Sequence, residues 1–312
     1  MAFDPLKDMP NFNGKVILVT GGNTGIGAAT IKFLARRSPS CIYLCARPVS
    51  VRQGEALASE LKSSFQDVNI QVRPLDLSSL DNIKQFAASF LKEAERLDLL
   101  FLNAGISTTL PALTKEGYES QFGVNHVGHA LLTQLLMPKL LETAAQDSDV
   151  RVLVTASKAA YIACPKTGLV LSDMKEPGPL ASPYQRYAHS KLANILFARK
   201  LAQVYPSIKC VSYNPGQVRT DIFKKATGLN KWLMMTIGAV FILLTGVTPE
   251  KGAENGLWLA TSKELQNGAY YEPIGVLEDQ KRFIADQKMA DELWDWTNKE
   301  LKQHGVPGWP KA

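Results

Sequence analysis

The chain has 312 residues, of which 46% are hydrophobic, so it can bury a substantial core. Its formal charge of +6 comes from 35 basic and 29 acidic residues that are interspersed rather than gathered into runs, which argues against nucleic-acid binding. Cysteines are few and, apart from Cys41 and Cys45, far apart, so they indicate neither a metal site nor a disulfide framework and favour a reducing, cytoplasmic compartment.

Short apolar runs alternate with helical patterns along the chain. The runs predict strands at 16–19, 42–45, 70–72, 99–102, 152–154, 210–213 and 269–271. Apolar residues three and four positions apart predict helices at 26–37, 51–64, 80–96, 119–145, 184–204 and 278–303. This alternation predicts an α/β protein with a doubly wound, mainly parallel sheet of about seven strands and helices on both faces.

A glycine-rich turn follows the first predicted strand and opens the first helix. It reads Thr20-Gly21-Gly22-Asn23-Thr24-Gly25-Ile26-Gly27. Glycines allow a tight turn and a close backbone approach, so a pyrophosphate can sit against the N–H groups of the helix N-terminus. The spacing differs from G-x-G-x-x-G, and an ordinary strand-to-helix connection is the alternative. The turn's place in an alternating chain favours dinucleotide binding.

The end of the second predicted strand bears on which dinucleotide binds. Folds that prefer NAD usually place an acid there, which hydrogen-bonds a ribose 2′-hydroxyl and repels a 2′-phosphate. This chain has Ala46 there, followed by Arg47, whose guanidinium can contact a phosphate through two hydrogen bonds. We therefore expect NADP(H) rather than NAD(H), with a solvated loop charge as the alternative interpretation of Arg47.

A Tyr-x-x-x-Lys pattern occurs twice, at Tyr187/Lys191 and at Tyr205/Lys209. On a helix the two side chains share a face, and the ammonium lowers the pKa of the tyrosine toward the range useful for proton transfer. Pro206 interrupts the second copy, which then runs into a strand pattern, so that copy should not share a helical face. The first copy lies in an unbroken helical pattern and is predicted to be catalytic.

The glycine-rich turn and the Tyr-x-x-x-Lys pair together resemble the short-chain dehydrogenase/reductase family. N-T-G-I-G, C-A-R and N-H-V-G-H are most similar to retinol dehydrogenases and the WW-domain oxidoreductase, although no WW module is present. Around the cofactor the resemblance implies Asp76 and Leu77 at the adenine, Asn103, Ala104 and Gly105 after the fourth strand, and Pro215, Gly216, Val218 and Thr220 beside the nicotinamide. It implies that Ser157 binds the substrate oxygen and that Asn125 anchors a water relay to Lys191.

The family pattern also has departures here. Relatives usually carry two serines at the end of the fifth strand, whereas this chain has Ala156-Ser157, which leaves Ser157 for the role. The separation between Ser157 and Tyr187 exceeds that of the shorter family members. The excursion at 164–183 is therefore expected to shape access of the substrate.

The resemblance implies one Rossmann domain over 1–312, with a mainly cofactor-binding half at 13–160 and the catalytic helix, a lid and the C-terminal helix at 161–312. The implied reaction is hydride transfer between NADPH and a carbonyl or alcohol of a lipophilic small molecule. The uncharged stretch at 232–247 is shorter than the roughly 20 residues of a membrane span. It could be a lid, a packing helix or a peripheral contact with an intracellular membrane.

Several alternatives stay open. The substrate could be retinoid-like or steroid-like, or a polyketide or terpenoid intermediate that a ketoreductase of secondary metabolism modifies. A non-catalytic NADP-binding regulator is a further alternative, but the intact set of Asn125, Ser157, Tyr187 and Lys191 favours catalysis. The 184–204 helix could form a homodimer seam or be covered within one chain.

Overall fold

The computed structural model describes residues 3–65, 67–107, 110–146, 149–175, 182–218 and 246–312. Within them lies one sheet with the strand order β3-β2-β1-β4-β5-β6-β7-β8. The strands are β1 (Val16–Thr20), β2 (Cys41–Ala46), β3 (Ile70–Pro74), β4 (Leu99–Leu102), β5 (Arg151–Thr155), β6 (Lys209–Tyr213), β7 (Tyr270–Glu272) and β8 (Val276–Leu277). Neighbouring strands pair in parallel except β7 and β8, which are antiparallel. The predicted doubly wound sheet is confirmed. The extra strand β8 is only two residues long, too short to leave a pattern.

The long helices lie between the strands as predicted, with three differences, and the short helices before β1 and after β5 were not predicted. They are α1 (Pro5–Asp8), α2 (Gly25–Ala35), α3 (Val51–Ser64), α4 (Leu80–Glu93), α5 (Ser120–Phe122), α6 (Gly128–Gln146), α7 (Ala159–Ile162), α8 (Pro183–Val204), α9 (Pro249–Thr261) and α10 (Gln287–Gln303). A π-helical turn, Gly123–Val127, divides the helix predicted at 119–145. The last helix begins at Gln287 rather than at 278, because the Asp286 side chain caps it by accepting a hydrogen bond from the Met289 N–H. Helix α9 was not predicted, because its glycines Gly252 and Gly256 weaken the helical pattern.

Each face of the sheet packs against its own set of helices, because side chains alternate along every strand. Ile17 and Val19 point into the core that includes side chains of α2, α3 and α9. Val16 and Leu18 point into the other core, which includes side chains of α4, α6 and α8. Cys41 and Cys45 both belong to that second core.

Helix α8 is surrounded by other parts of the same chain. Buried residues lie on all of its sides, including Lys191, Phe197 and Leu201. The C-terminal tail covers one side, where the Tyr205 hydroxyl donates to the Pro310 carbonyl (2.7 Å) and Trp309 stacks on Trp294 of α10 with ring centroids 4.5 Å apart. The sequence left open whether this helix forms a homodimer seam or is covered within one chain. The structure supports coverage within one chain.

The stretch at 232–247 lies almost wholly outside the described residues. Only its last two positions are described, and Val247 forms a parallel bridge with Val218. Among the described helices, none combines the length and the apolar character that crossing a membrane would require.

Candidate active site

The residues predicted for the site follow the carboxyl ends of the parallel strands, which all lie at one edge of the sheet. The strand order reverses between β1 and β4, so the loops after these two strands leave a crevice between them. Thr20 ends β1, Asn103 follows β4, and Ser157 follows β5. Residues far apart in sequence are therefore neighbours here.

The glycine-rich turn after β1 is shaped to take a phosphate. Gly21 has a φ of +65°, and a Cβ there would lie 3.1 Å from the Cα of Ala104. A Cβ on Gly27 would lie 2.3 Å from the Gly21 carbonyl oxygen, so α2 can approach the turn only with glycine at this position. The N-cap residue Thr24 makes no side-chain cap bond, and the first turn of α2 carries no acid. The N–H groups of Gly25 and its neighbours thus remain suited to an anion.

Thr20 and Asn103 hold the turn against the loop after β4. The Thr20 hydroxyl oxygen accepts hydrogen bonds from the backbone N–H groups of Asn103 and Ala104, each at 2.9 Å. The Asn103 side-chain amide donates to the Thr20 carbonyl at 2.9 Å. These two polar side chains therefore fix the walls of the crevice.

His129 also contacts Thr20, although it was not among the predicted site residues. Its Nδ1 lies 3.0 Å from the Asn125 carbonyl oxygen, and its Nε2 lies 3.0 Å from the Thr20 hydroxyl. Burial lowers the pKa of His129 to about 4, so the ring is neutral. Because a carbonyl can only accept, Nδ1 carries the proton and Nε2 accepts from Thr20. The second histidine of N-H-V-G-H, four residues after Asn125, was the available signal.

At the far end of the crevice, β2 ends in buried Ala46 and is followed by exposed Arg47. The Asp76 carboxylate is partly exposed and accepts hydrogen bonds from the N–H (2.9 Å) and the hydroxyl (2.6 Å) of Ser78. The Leu77 side chain is buried in the core, so mainly the main-chain groups of Leu77 are available to contact a ligand.

The segment after β6 is described as far as Val218, so the predicted residue Thr220 lies outside the described residues. Val218 is buried, and a Cβ on Gly252 of α9 would lie 2.5 Å from one of its methyl groups. The backbone N–H of Gly216, with φ +86°, donates to the Asn214 side-chain oxygen at 3.1 Å. Pro215 and Gly216 therefore form a tight turn whose shape depends on Asn214.

Helix α8 carries Tyr187 and Lys191 one turn apart. It begins at Pro183 with a capping box, in which Ser182 and Gln185 each bond the other's backbone N–H. The Ser157 hydroxyl lies close enough to the Tyr187 hydroxyl to oppose the effect of burial on the Tyr187 pKa. The Lys191 Nζ lies 5.6 Å from the Tyr187 ring centroid. The structure thus brings the predicted serine, tyrosine and lysine together.

Asn125 lies in the π-helical turn beside the lysine. A Cβ on Gly105 would lie 3.3 Å from the Asn125 Oδ1 and 3.5 Å from the Lys191 Nζ. The Asn125 side-chain oxygen accepts a hydrogen bond from the Ile106 N–H (2.8 Å). The Asn125 amide donates to the Ile106 carbonyl and to the Ser190 hydroxyl (both 2.9 Å). The Asn125 side chain therefore joins the β4 loop to α8, and the predicted water relay stays a prediction.

Burial changes the proton affinities of Tyr187 and Lys191. It raises the pKa of Tyr187 to about 12, although the hydrogen bond from Ser157 acts in the opposite direction. It lowers the pKa of Lys191 to about 8, while the Lys191 ammonium donates to the Thr155 carbonyl at 3.0 Å. The predicted lowering of the tyrosine pKa is wrong for this structure, because desolvation raises the Tyr187 pKa and outweighs the opposing effect of Ser157.

The second Tyr-x-x-x-Lys copy lies outside the site, as predicted. Tyr205 is the C-cap of α8, and Lys209 opens β6 at the opposite edge of the sheet, where it pairs with Asp149 at 2.9 Å. Its tyrosine and lysine therefore do not share a helical face.

Comparisons with known proteins agree with this fold. The short chain dehydrogenase family model matches residues 15–168. A short-chain dehydrogenase/reductase of Armillaria gallica is 32% identical over 307 residues, covering 96% of this chain and 94% of that protein. Retinol dehydrogenase 12 of Mus musculus is 34% identical over 286 residues, covering 90% and 84%. The structure of NADPH-bound carbonyl reductase from chicken fatty liver has a TM-score of 0.62 at 24% identity, covering 86% and 99%.

The chain belongs to the short-chain dehydrogenase/reductase family, which makes it an oxidoreductase acting on CH–OH or C=O groups. Within that family it is similar to retinol dehydrogenases, so the resemblance drawn from N-T-G-I-G and N-H-V-G-H is confirmed.

Proposed function

We propose that this protein uses NADP(H) to interconvert a carbonyl and an alcohol on a lipophilic small molecule. The observation that carries the proposal is the neighbouring hydroxyls of Ser157 and Tyr187, with Lys191 beside them, at the sheet edge that also holds the glycine-rich turn. This arrangement has a proton donor and a cation next to a phosphate-binding crevice, which suits reduction of a carbonyl.

The residues of the crevice fit NADPH. The close approach of Gly21 and Gly27 and the uncapped start of α2 suit its pyrophosphate. Exposed Arg47, with buried Ala46 in the place of an acid, suits a 2′-phosphate rather than a 2′-hydroxyl. Asp76 lies on the adenine side, and Pro215 and Gly216 lie on the nicotinamide side. When bound, NADPH supplies a hydride.

In the reductive direction Tyr187 is the acid. A pKa of about 12 keeps its hydroxyl protonated at neutral pH, so it can hydrogen-bond a carbonyl oxygen and then donate its proton to the forming alkoxide. Ser157 provides a second hydroxyl to orient the same oxygen. Lys191, with a pKa of about 8, is mainly charged at neutral pH and stabilises the tyrosinate that remains.

Exposed apolar side chains near the catalytic residues support a lipophilic substrate. Ile162 ends the short helix that follows Ser157 and is 63% exposed, and Tyr184, one turn before Tyr187, is 45% exposed. Leu110, in the loop after β4, is 52% exposed. Exposed apolar side chains on segments that carry proposed site residues suit contact with an apolar ligand. Relatives named retinol dehydrogenase point to the same substrate class.

The experiment is an NADPH-oxidation assay against a panel of retinoid, steroid, aliphatic and quinone-like carbonyls. Wild-type protein should turn over at least one class, and Tyr187→Phe should lose at least about 100-fold in rate while still binding NADPH. Tyr205→Phe is the matched control, because it changes the tyrosine of the second motif copy and should keep wild-type rates. NADPH binding without turnover of any carbonyl would instead support a regulator, and equal activity of Tyr187→Phe would refute the assignment of the acid.

A further inference from the structure

Glu272 ends β7 at the edge of the sheet that holds the site. Its carboxylate contacts side chains from the segments that follow β5 and β6 and from β7 itself. Its Oε1 accepts hydrogen bonds from the Tyr161 hydroxyl at 2.7 Å and the Tyr270 hydroxyl at 2.9 Å. Its Oε2 accepts from the Asn214 amide at 2.8 Å, and the Lys158 ammonium lies 3.9 Å from the same oxygen. The Glu272 side chain is only 14% exposed, so these contacts are largely shielded from water.

One of these contacts sets the orientation of the Asn214 amide. A carboxylate can only accept, so Asn214 must turn its NH₂ group toward Glu272 and its oxygen toward the Gly216 N–H at 3.1 Å. The Asn214 carbonyl is held from the other side by the Asn255 amide at 2.8 Å. Glu272 thereby fixes the turn at Pro215 and Gly216.

The other contact reaches the segment that carries the catalytic serine. Tyr161 lies on α7, which begins two residues after Ser157, and the Ser157 hydroxyl oxygen accepts from the first N–H of that helix at 3.2 Å. Burial, reinforced by Glu272, raises the pKa of Tyr161 above its usual range, so its hydroxyl stays a donor to the carboxylate. One carboxylate therefore joins the serine segment to the Asn214 turn.

We infer that Glu272 is a positioning residue for hydride transfer. It fixes the turn on the nicotinamide side of the crevice through Asn214, and the segment on the substrate-oxygen side through Tyr161. This inference rests on the proposed function, in which Pro215–Gly216 and Ser157 flank the reacting groups. Neither Tyr161 nor Glu272 belongs to the residues that the family resemblance assigned.

The expected consequence is a loss of alignment rather than a loss of cofactor binding. Glu272→Ala leaves Asn214 and Tyr161 without their shared acceptor, and a small misplacement of reacting groups lowers a rate by about 10- to 100-fold. Affinity for the adenine end depends on the glycine turn and Arg47, which Glu272 does not touch. Glu272→Gln keeps the shape and one acceptor oxygen, so its rate should fall between those of wild type and Glu272→Ala.

The test measures steady-state kinetics of the full chain with NADPH and with NADPH deuterated at the transferred position. Glu272→Ala should lower kcat about 10- to 100-fold, leave KM for NADPH within about threefold, and raise the primary deuterium isotope effect as hydride transfer becomes rate-limiting. Tyr161→Phe removes only the serine-side link and should raise the isotope effect with a smaller loss of kcat. Affinity for 2′,5′-ADP, which probes the adenine end alone, should not change in either variant.

Glu300→Gln is the matched control. Glu300 also bonds a tyrosine hydroxyl, that of Tyr118 at 3.3 Å, and pairs with Lys175, but it lies on α10. This variant should keep the wild-type isotope effect. If Glu272→Ala does not fold, Glu272→Gln and Tyr161→Phe decide the question by the same measurement.

An unchanged kcat and isotope effect in the Glu272 and Tyr161 variants, against an active wild type, would overturn the role of Glu272 and leave the proposed function intact. A wild type that reduces no carbonyl would overturn the proposed function itself. The two failures are therefore distinguishable.

Discussion

The buried ammonium of Lys191, the proposed catalytic lysine, should lower the stability of the fold. Lys191 is 2% exposed, and burial lowers its pKa from 10.5 to about 8. The difference of about 2.5 pH units corresponds to about 3 kcal/mol of unfavourable free energy at neutral pH, since each unit is worth about 1.4 kcal/mol. Replacing the charge by an apolar side chain of similar length should recover most of it.

Lys191→Met is that replacement. The substitution removes the hydrogen bond that Lys191 donates to the Thr155 carbonyl, which is worth about 1 kcal/mol. That carbonyl still accepts a hydrogen bond from the Asn194 amide at 3.0 Å. The net expectation is a gain of about 2 kcal/mol in the free energy of unfolding at neutral pH, together with loss of activity. The cost of the charge is fully present below the folded pKa of about 8 and disappears as the pH rises toward 10.5, so the gain should shrink over that range.

The measurement is urea denaturation followed by circular dichroism at neutral pH and at about pH 10, for wild type and Lys191→Met. Lys288→Met is the control, because the Lys288 side chain is 88% exposed and should change stability little. A variant no more stable than wild type at neutral pH, or a gain that does not decline with pH, would refute the reasoning from burial.

Three further predictions follow from the site and the fold. Carbonyl reduction at saturating NADPH should be constant at neutral pH and fall as the pH rises through about 8, where Lys191 loses its proton; a rate that rises through that range would contradict the role of the ammonium. Arg47→Glu should raise KM for NADPH about 10- to 100-fold and change KM for NADH far less, in a comparison of initial rates with both cofactors. Light scattering should give the mass of one chain, because α8 is already covered by α10 and the tail; a stable dimer mass would show that another surface associates.

Local patterns in the sequence determined the architecture and predicted the main candidate catalytic residues. Alternating apolar runs specify strands and helices through spacings of two and of three to four residues, and the doubly wound sheet follows from their order. Pro206 inside the second Tyr-x-x-x-Lys copy was enough to set it aside in favour of Tyr187 and Lys191. These properties depend on residues close together in the chain.

Only the tertiary structure decided the groups that support the site. His129 meets Thr20, and Glu272 meets Tyr161 and Asn214, across long sequence separations and after several elements have packed. The pKa of Tyr187 also depends on packing, because burial raises it, whereas the Tyr-x-x-x-Lys pattern alone predicted that it would be lowered. The spacing between side chains can be read from the sequence. Their solvent exposure and their contacts with residues far away in the chain arise only when the chain folds.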